Sequence, residues 1–196
     1  DKSVSHRAML LGAVNEGRGI VKGFLRSADT LATVAAVRAL GVQVDDDETG
    51  LVVRGAGWDG LREPDGVVDV ANSGTLIRLL PGLVASRDLL CVLTGDASIR
   101  RRPMGRILEP LTAMGATVVG RKNNTLPPIA IRGGTLKGIT HQLTVASAQV
   151  KSCLILAGLR ADGPTTIFEP APSRDHTERM IRYAGARLES AGSPDG

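Results

Sequence analysis

The strongest constraint on this chain is a repeat. Serines standing just ahead of apolar helical runs fall at positions 3, 73 and 147, at intervals of 70 and 74 residues. Ser3 precedes Ala8-Met9-Leu10-Leu11, Asn72-Ser73-Gly74-Thr75 precedes Leu76-Ile77-Arg78-Leu79, and Ser147-Ala148-Gln149 precedes Val150 to Leu156. A second marker keeps nearly the same period. Leu40-Gly41-Val42, Met114-Gly115-Ala116 and Ala184-Gly185-Ala186 each close an apolar helical pattern and open a strand, with glycines 74 and 70 residues apart. Two independent markers at one period specify three copies of one supersecondary unit, which stack to bury what one copy cannot.

Unit one covers about residues 1–56. It reads as a helix over 3–16, a turn at Gly17-Arg18-Gly19, a strand over Ile20 to Leu25 and a helix over Leu31 to Leu40 capped by Ser27 or Asp29. A hairpin of Val42 to Val44 with Leu51 to Arg54 closes it. Residues Gly55 to Gly66, rich in Gly, Pro and charge, form a surface connector. Unit two, about 67–134, repeats the order: strand 67–70, helix 73–86, strand 89–93, helix 103–114 with Pro103 near its start, and a hairpin of 117–119 with 129–131. Unit three, about 138–196, has strand 141–145, helix 147–160, strand 165–168, a helix from Asp175 to Ala184 and a strand over Arg187 to Glu189. It lacks the last partner strand of its siblings, and the repeat predicts about ten further residues. The fold class is therefore mixed α/β (α+β). Three βαβ-containing units pack around a pseudo-threefold axis in one domain over 1–196. That packing brings equivalent helix ends to one rim.

The rim carries anion-binding chemistry. Ser3 is a good N-cap type, Lys2 stands at the mouth of the first helix and Arg7 lies one turn inside. A helix N-terminus adds unpaired N–H groups and positive dipole. Arg102 occupies a comparable place before Pro103, and Gln149 lies in the first turn of the third unit's helix. Lys151 is about 200° round that helix from Gln149 and faces elsewhere. Arg78, inside an apolar helix, fits a buried structural ion-pair partner as well as a ligand contact. Asp29, Asp96 and Asp175 sit where caps or dipole partners sit. For His6 and His176 a hydrogen-bonded structural role is the default. The net charge of +4 invites a nucleic-acid reading, but aromatics at 2% leave few platforms for stacking bases. No apolar run approaches the ~20 residues of a membrane span. Cys91 and Cys153 lie in apolar runs, as buried free thiols of a reducing compartment do, so a cytoplasmic place is expected. No His/Cys cluster has metal spacing, so neither metal nor cofactor is expected.

Six ordered motifs resemble those of the 5-enolpyruvylshikimate-3-phosphate synthase family. They are Asp1-Lys2-Ser3-Val4-Ser5-His6-Arg7, Asn72-Ser73-Gly74-Thr75-Leu76-Ile77-Arg78-Leu79, Thr94-Gly95-Asp96-Ala97-Ser98, Arg102-Pro103-Met104-Gly105, Ser147-Ala148-Gln149-Val150-Lys151 and Arg174-Asp175-His176-Thr177-Glu178. The resemblance implies transfer of the enolpyruvyl group of phosphoenolpyruvate to the 5-hydroxyl of shikimate 3-phosphate, releasing phosphate, on the route to chorismate. It implies one domain of an inside-out α/β barrel, with substrates in the cleft against a second domain. It assigns Lys2, Ser3, Arg7, Ser147, Ala148, Gln149 and Arg174 to shikimate 3-phosphate. Lys2, Gly74, Arg102 and Gln149 go to phosphoenolpyruvate, with Lys2 also catalytic. The family's catalytic Asp and Glu belong to the second domain, whose motifs are not in this sequence, so the chain alone is expected to be inactive. Leu79 with Ser-Ala-Gln-Val-Lys resembles the glyphosate-tolerant class, whereas Gly74 is typical of sensitive members.

Three alternatives carry other functions. One is a non-catalytic, phosphate-ligand-binding half of a split or excised enzyme. A second is the sister transferase acting on UDP-N-acetylglucosamine, whose loop cysteine has no counterpart between Gly95 and Arg102. The third is a nucleic-acid module of the RNA 3′-terminal phosphate cyclase type, which is built from similar units.

Overall fold

The computed structural model describes residues 1–190, so the last six residues assigned to the third unit lie outside the described residues. The first stretch runs α1 (Lys2–Val14), β1 (Glu16–Val21), α2 (Ala28–Ala39), β2 (Gln43–Asp47) and β3 (Gly50–Ala56). The next runs β4 (Val68–Asp69), α3 (Leu76–Ala85), β5 (Leu90–Thr94), a 3-10 turn at Ile99–Arg101, α4 (Gly105–Met114) and β6 (Thr117–Gly120). It continues through α5 (Arg121–Asn124), a single turn with left-handed Lys122 and Asn123, into β7 (Leu126–Arg132). Then follow β8 (Thr140–Gln142), α6 (Ala148–Gly158), β9 (Thr166–Phe168) and α7 (His176–Tyr183).

The strands form three small sheets, ordered β1-β3-β2, β4-β5-β7-β6 and β8-β9. In the first, β3 pairs antiparallel with both neighbours. In the second, β7 does the same between β5 and β6, while β4 joins the far side of β5 in parallel. The third is a parallel pair. Parallel neighbours need a crossover, and α3 and α6 supply them.

The sequence of α3, Leu-Ile-Arg-Leu-Leu-Pro-Gly-Leu-Val-Ala, is apolar on nearly every side, which suits a helix buried all round. Every residue of it except Arg78 is buried, and it packs against α1, α2, α4 and α6. The closest of these approaches is to α6. A Cβ built on Gly82 would lie 2.0 Å from the Cys153 carbonyl oxygen, so only glycine lets the two backbones touch there. This contact fixes the distance between the starts of α3 and α6, where the candidate site residues sit.

Several local expectations change. The glycines of Gly17-Arg18-Gly19 make no turn; they run inside β1, paired residue for residue with β3. Gly17 is there at φ 87°, with open space at its Cβ position; the close approach is at its β3 partner Gly55, which sits under the end of α1, where a Cβ would meet the Asn15 carbonyl oxygen at 2.1 Å. Pro103 precedes α4, which starts at Gly105. The Gly55–Gly66 connector is not all surface, for Leu61 is buried and Trp58 packs on the core. Arg187 to Glu189 forms no strand, since no segment among the described residues hydrogen-bonds to it as a ladder.

The Gly82 contact makes a prediction. Gly82→Ala must push α3 away from α6 and should cost about 1–3 kcal/mol in urea unfolding. Gly66→Ala, with nothing within 4 Å of its Cβ position, should stay within about 0.5 kcal/mol of the parent. Equal midpoints for the two variants would remove the close approach from the account.

Candidate functional site

The helix starts are built differently from one another. Asp1, not Ser3, caps α1: its Oδ1 accepts the Val4 N–H at 2.9 Å. A carboxylate both accepts that hydrogen bond and opposes the dipole, so it wins over a hydroxyl two residues on. Ser3 is thereby left in the first turn, its Oγ 3.5 Å from Arg174 Nη1. Ser147 caps α6 as expected, accepting the Val150 N–H at 3.4 Å. Ser73 accepts the Leu76 N–H at 3.0 Å ahead of α3.

Between these starts lies a cleft of about 70 Å³ lined by Ser3, Arg7, Thr75, Ala148, Gln149, Arg174 and His176. Residues distant in sequence therefore meet. Two guanidiniums and no carboxylate are among the lining side chains, so the cleft favours an anion. Of the residues expected to hold shikimate 3-phosphate, Ser3, Arg7, Ala148, Gln149 and Arg174 line it. Lys2 and Ser147 do not, because Ser147 is spent on the cap and Lys2 turns to Asp29.

Arg7 forms a buried wall of the cleft. Its Nε donates to Thr177 Oγ1 at 2.6 Å, its Nη2 to Ser152 Oγ at 2.8 Å and its Nη1 to the Ser3 carbonyl at 3.1 Å. Burial lowers its pKa from the usual arginine value, with Glu178 opposing and Arg174 reinforcing the shift. Gln149 is held at both ends of its amide: Nε2 donates to Thr75 Oγ1 at 3.0 Å, and Oε1 accepts from Arg78 Nη1 at 2.9 Å. Arg78 also donates to the Gly74 carbonyl at 3.0 Å; it is half-buried and, among the described residues, pairs with no carboxylate, so its structural role is hydrogen bonding and not the expected buried ion pair. Lys151 points away, as its place on the helix predicts. It is buried between Glu169 at 2.5 Å and Glu178 at 2.6 Å. Burial disfavours its charge, but the two carboxylates outweigh burial and raise its pKa.

Beside the cleft, half-exposed Lys2 pairs with Asp29 at 2.8 Å. Burial alone would raise the Asp29 pKa. Hydrogen bonds from Lys2 and Ser27, together with the charge of Lys2 and His6, hold it down to about 2. Asp29 also accepts the Thr30 N–H at 3.0 Å, so it serves helix and lysine together. Asp96 caps the Ser98–Ile99 turn. His6 is fully buried, with Nδ1 2.6 Å from Thr33 Oγ1 and Nε2 3.5 Å from Ser73 Oγ.

The loop into α3 holds a second group of expected ligands. Ala71 adopts φ of 51°, a costly conformation for a residue with a Cβ. It is held there by Asp69 Oδ1, which accepts its N–H at 2.8 Å, and by the Asp96 N–H on its carbonyl at 2.8 Å. Gly74 follows, and a Cβ on it would lie 2.6 Å from Arg102 Nη1. Arg102 is exposed and rests directly on that glycine. Gly74 and Arg102 do not line the cleft; they adjoin it through Thr75 and Arg78. Another concavity, about 80 Å³, lies among Arg106, Glu109, His141, Leu143, Val145 and Val150. Its Glu109 carboxylate and apolar walls make it a poorer home for an anion.

A model of the EPSP synthase (3-phosphoshikimate 1-carboxyvinyltransferase) family matches residues 1–196. The chain belongs to that family. It is 55% identical over 190 residues to the 3-phosphoshikimate 1-carboxyvinyltransferase of Geobacter sulfurreducens, covering 97% of this chain and 44% of the relative. It is 52% identical over 190 residues to that of Pelobacter propionicus, with the same two coverages. Its fold superposes on an EPSP synthase from Acinetobacter baumannii with a TM-score of 0.94 and 47% identity, over 98% of this chain and 44% of that one. The chain thus spans less than half the length of these relatives, aligning to their N-terminal part. No described helix is long and apolar enough to cross a membrane.

Three participants escaped the sequence reading: Thr75, Ser152 and Thr177; His176, expected in a structural role, lines the cleft. Thr75 and Thr177 lie inside motifs quoted for the family, so position was a signal. Ser152 had none, being a small residue in an apolar helix.

The burial of His6 predicts a pH dependence. Desolvation lowers its pKa from 6.5 to about 4; Asp29 opposes this, while Lys2 and Arg7 add to it. The folded state therefore takes up the proton later than the unfolded chain. The His6 contribution to stability is full above pH 6.5 and is lost as pH falls from there toward 4, by on the order of 3 kcal/mol. An NMR titration of the His6 ring should show a midpoint near 4; a midpoint near 6.5 contradicts its burial.

Proposed function

We propose that this chain is the substrate-binding part of a 3-phosphoshikimate 1-carboxyvinyltransferase. The reaction moves the enolpyruvyl group of phosphoenolpyruvate to the 5-hydroxyl of shikimate 3-phosphate and releases phosphate. The observation that carries this reading is the carboxylate-free cleft of Ser3, Arg7, Ala148, Gln149 and Arg174, built from the family's own motifs. Shikimate 3-phosphate occupies that cleft, with Lys2 and Ser147 at its edge. Phosphoenolpyruvate lies alongside, against Gly74, Arg102, Gln149 and Lys2. Its compact phosphate and carboxylate suit a glycine, which lets the ligand approach the backbone, and an arginine fork.

The units at 1–56, 67–134 and 138–196 are three copies of one motif about a pseudo-threefold axis, in one domain of an inside-out α/β barrel. The shared strand order of the first two sheets supports this. The second domain of the family closes over the rim. Binding both anions needs only helix ends and basic side chains, whereas moving a proton to and from the reacting carbons needs a positioned acid or base. Here Asp29 is committed to Lys2 and Asp96 to its turn, while Asp175 stands at the start of α7 without the side-chain cap bond expected of it. The family resemblance assigns the proton-moving carboxylates to the second domain, and Lys2, held by Asp29, is the catalytic cation. The free, buried Cys91 and Cys153 support a cytoplasmic place.

The test uses this chain together with the remaining domain of the family supplied in trans. The chain alone should bind shikimate 3-phosphate weakly, with salt sensitivity, and turn nothing over; the pair should release phosphate. In the pair, Arg102→Lys should raise KM for phosphoenolpyruvate about tenfold, since a point charge does not replace a bidentate fork. Arg100→Lys should change it less than about twofold. Turnover by the chain alone, or equal small effects of both lysines, would refute the assignment.

A further inference from the structure

We propose that Thr177 and Ser152 are positioning residues: they hold the Arg7 guanidinium so that its unused edge serves the bound anion. This rests on reading the cleft as the shikimate 3-phosphate site. Arg7 has five N–H groups, of which three are taken among the described residues: Nε–H by Thr177, one Nη2–H by Ser152 and one Nη1–H by the Ser3 carbonyl. One hydrogen remains on each Nη nitrogen, the number a bidentate carboxylate or phosphate contact uses.

The hydroxyls are ordered by a directional chain. Ser152 Oγ donates to the Ala148 carbonyl at 2.5 Å. Its proton is then committed, so at the 2.6 Å contact between the two hydroxyls Thr177 is the donor. Each oxygen has lone pairs left for Arg7, and both receive it. The two hydroxyls thus accept from one side of the guanidinium and fix the direction of its plane. Neither residue touches a ligand itself: Ser152 is 0% and Thr177 1% exposed. Packing alone would be met by apolar side chains of the same size, and a buried hydroxyl costs free energy unless paired. Their pairing with Arg7 explains why polar groups stand there.

The clamp also ties α7 to the cleft. Thr177 lies in its first turn, beside Arg174 and His176, which line the cleft, and Glu178. The Glu178 carboxylate anchors the turn to α6 through Lys151 at 2.6 Å. Its other oxygen, Oε2, is buried without a hydrogen-bond partner and stays in the positive field of Lys151 and Arg7. Arg7 from α1, Ser152 from α6 and Thr177 from α7 therefore set one geometry together.

The test compares the unsubstituted chain with Thr177→Val, Thr177→Ser and Ser152→Ala. Two readouts are taken: the Arg7 Nε–H signal by NMR without ligand, and calorimetric affinity for shikimate 3-phosphate, with inorganic phosphate as a second probe. The parent and Thr177→Ser should show a slowly exchanging Nε–H and bind within about twofold of each other. Thr177→Val should lose that protection and bind at least about tenfold more weakly while keeping a folded amide spectrum. If it fails to fold, Ser152→Ala should show the same weakening. Unchanged affinity in the variants, or Thr177→Ser as poor as Thr177→Val, overturns the positioning role alone. No binding of shikimate 3-phosphate by the unsubstituted chain overturns the cleft assignment and the positioning role with it.

Discussion

A buried guanidinium is the constraint on which the rest of this structure turns. Arg7 cannot lose its proton at any ordinary pH, and leaving water is costly unless each N–H finds an acceptor. One acceptor comes from α1 itself, and the other two come from α6 and α7, 145 and 170 residues further along the chain. The same side chain is also a wall of the cleft. Satisfying one cation thus assembles the site, and an anion in the cleft completes what the protein leaves open. Glu178 balances the field from behind, shared with Lys151.

The helix frame makes this economy possible. α3 is apolar nearly all round and serves as the post against which α1, α2, α4 and α6 lean. Arg78, its one residue that is not buried, reaches from the helix start to Gln149 and the Gly74 carbonyl. The strained Ala71 turn places Gly74 under Arg102; Ala71 is held by donating its N–H to the Asp69 carboxylate and accepting the Asp96 N–H. Strain in this loop and buried charge around Arg7 are both costs met by the packed core beneath them.

Much of this was legible before any coordinates. Period-spaced serines and glycines located most helices and strands within a few residues, because apolar periodicity and turn residues act locally. Lys151 and Gln149 were separated correctly by helix geometry alone. The failures have physical causes. Gly17 and Gly19 read as a turn, but they lie inside a strand whose partner, forty residues away, is what pairs them into a ladder. Ser3 read as a cap because residue type was weighed without its competitor Asp1. Arg7 was expected at the site, yet its clamp was invisible, for nothing local marks Ser152 or Thr177 as partners of an arginine from another helix. Lys2 and Ser147 were expected in the cleft, and an ion pair and a cap draw them to its edge.

The central claim is that α1, α6 and α7 jointly form a site for the phosphate and hydroxyls of one ligand. A crystal structure of this chain soaked with shikimate 3-phosphate tests it most directly. The account predicts ligand density between Ser3, Arg7, Gln149 and Arg174, with Arg7 still hydrogen-bonded to Thr177 and Ser152. Density confined to the concavity beside Glu109 and His141, or an Arg7 turned away from a bound ligand, would contradict it.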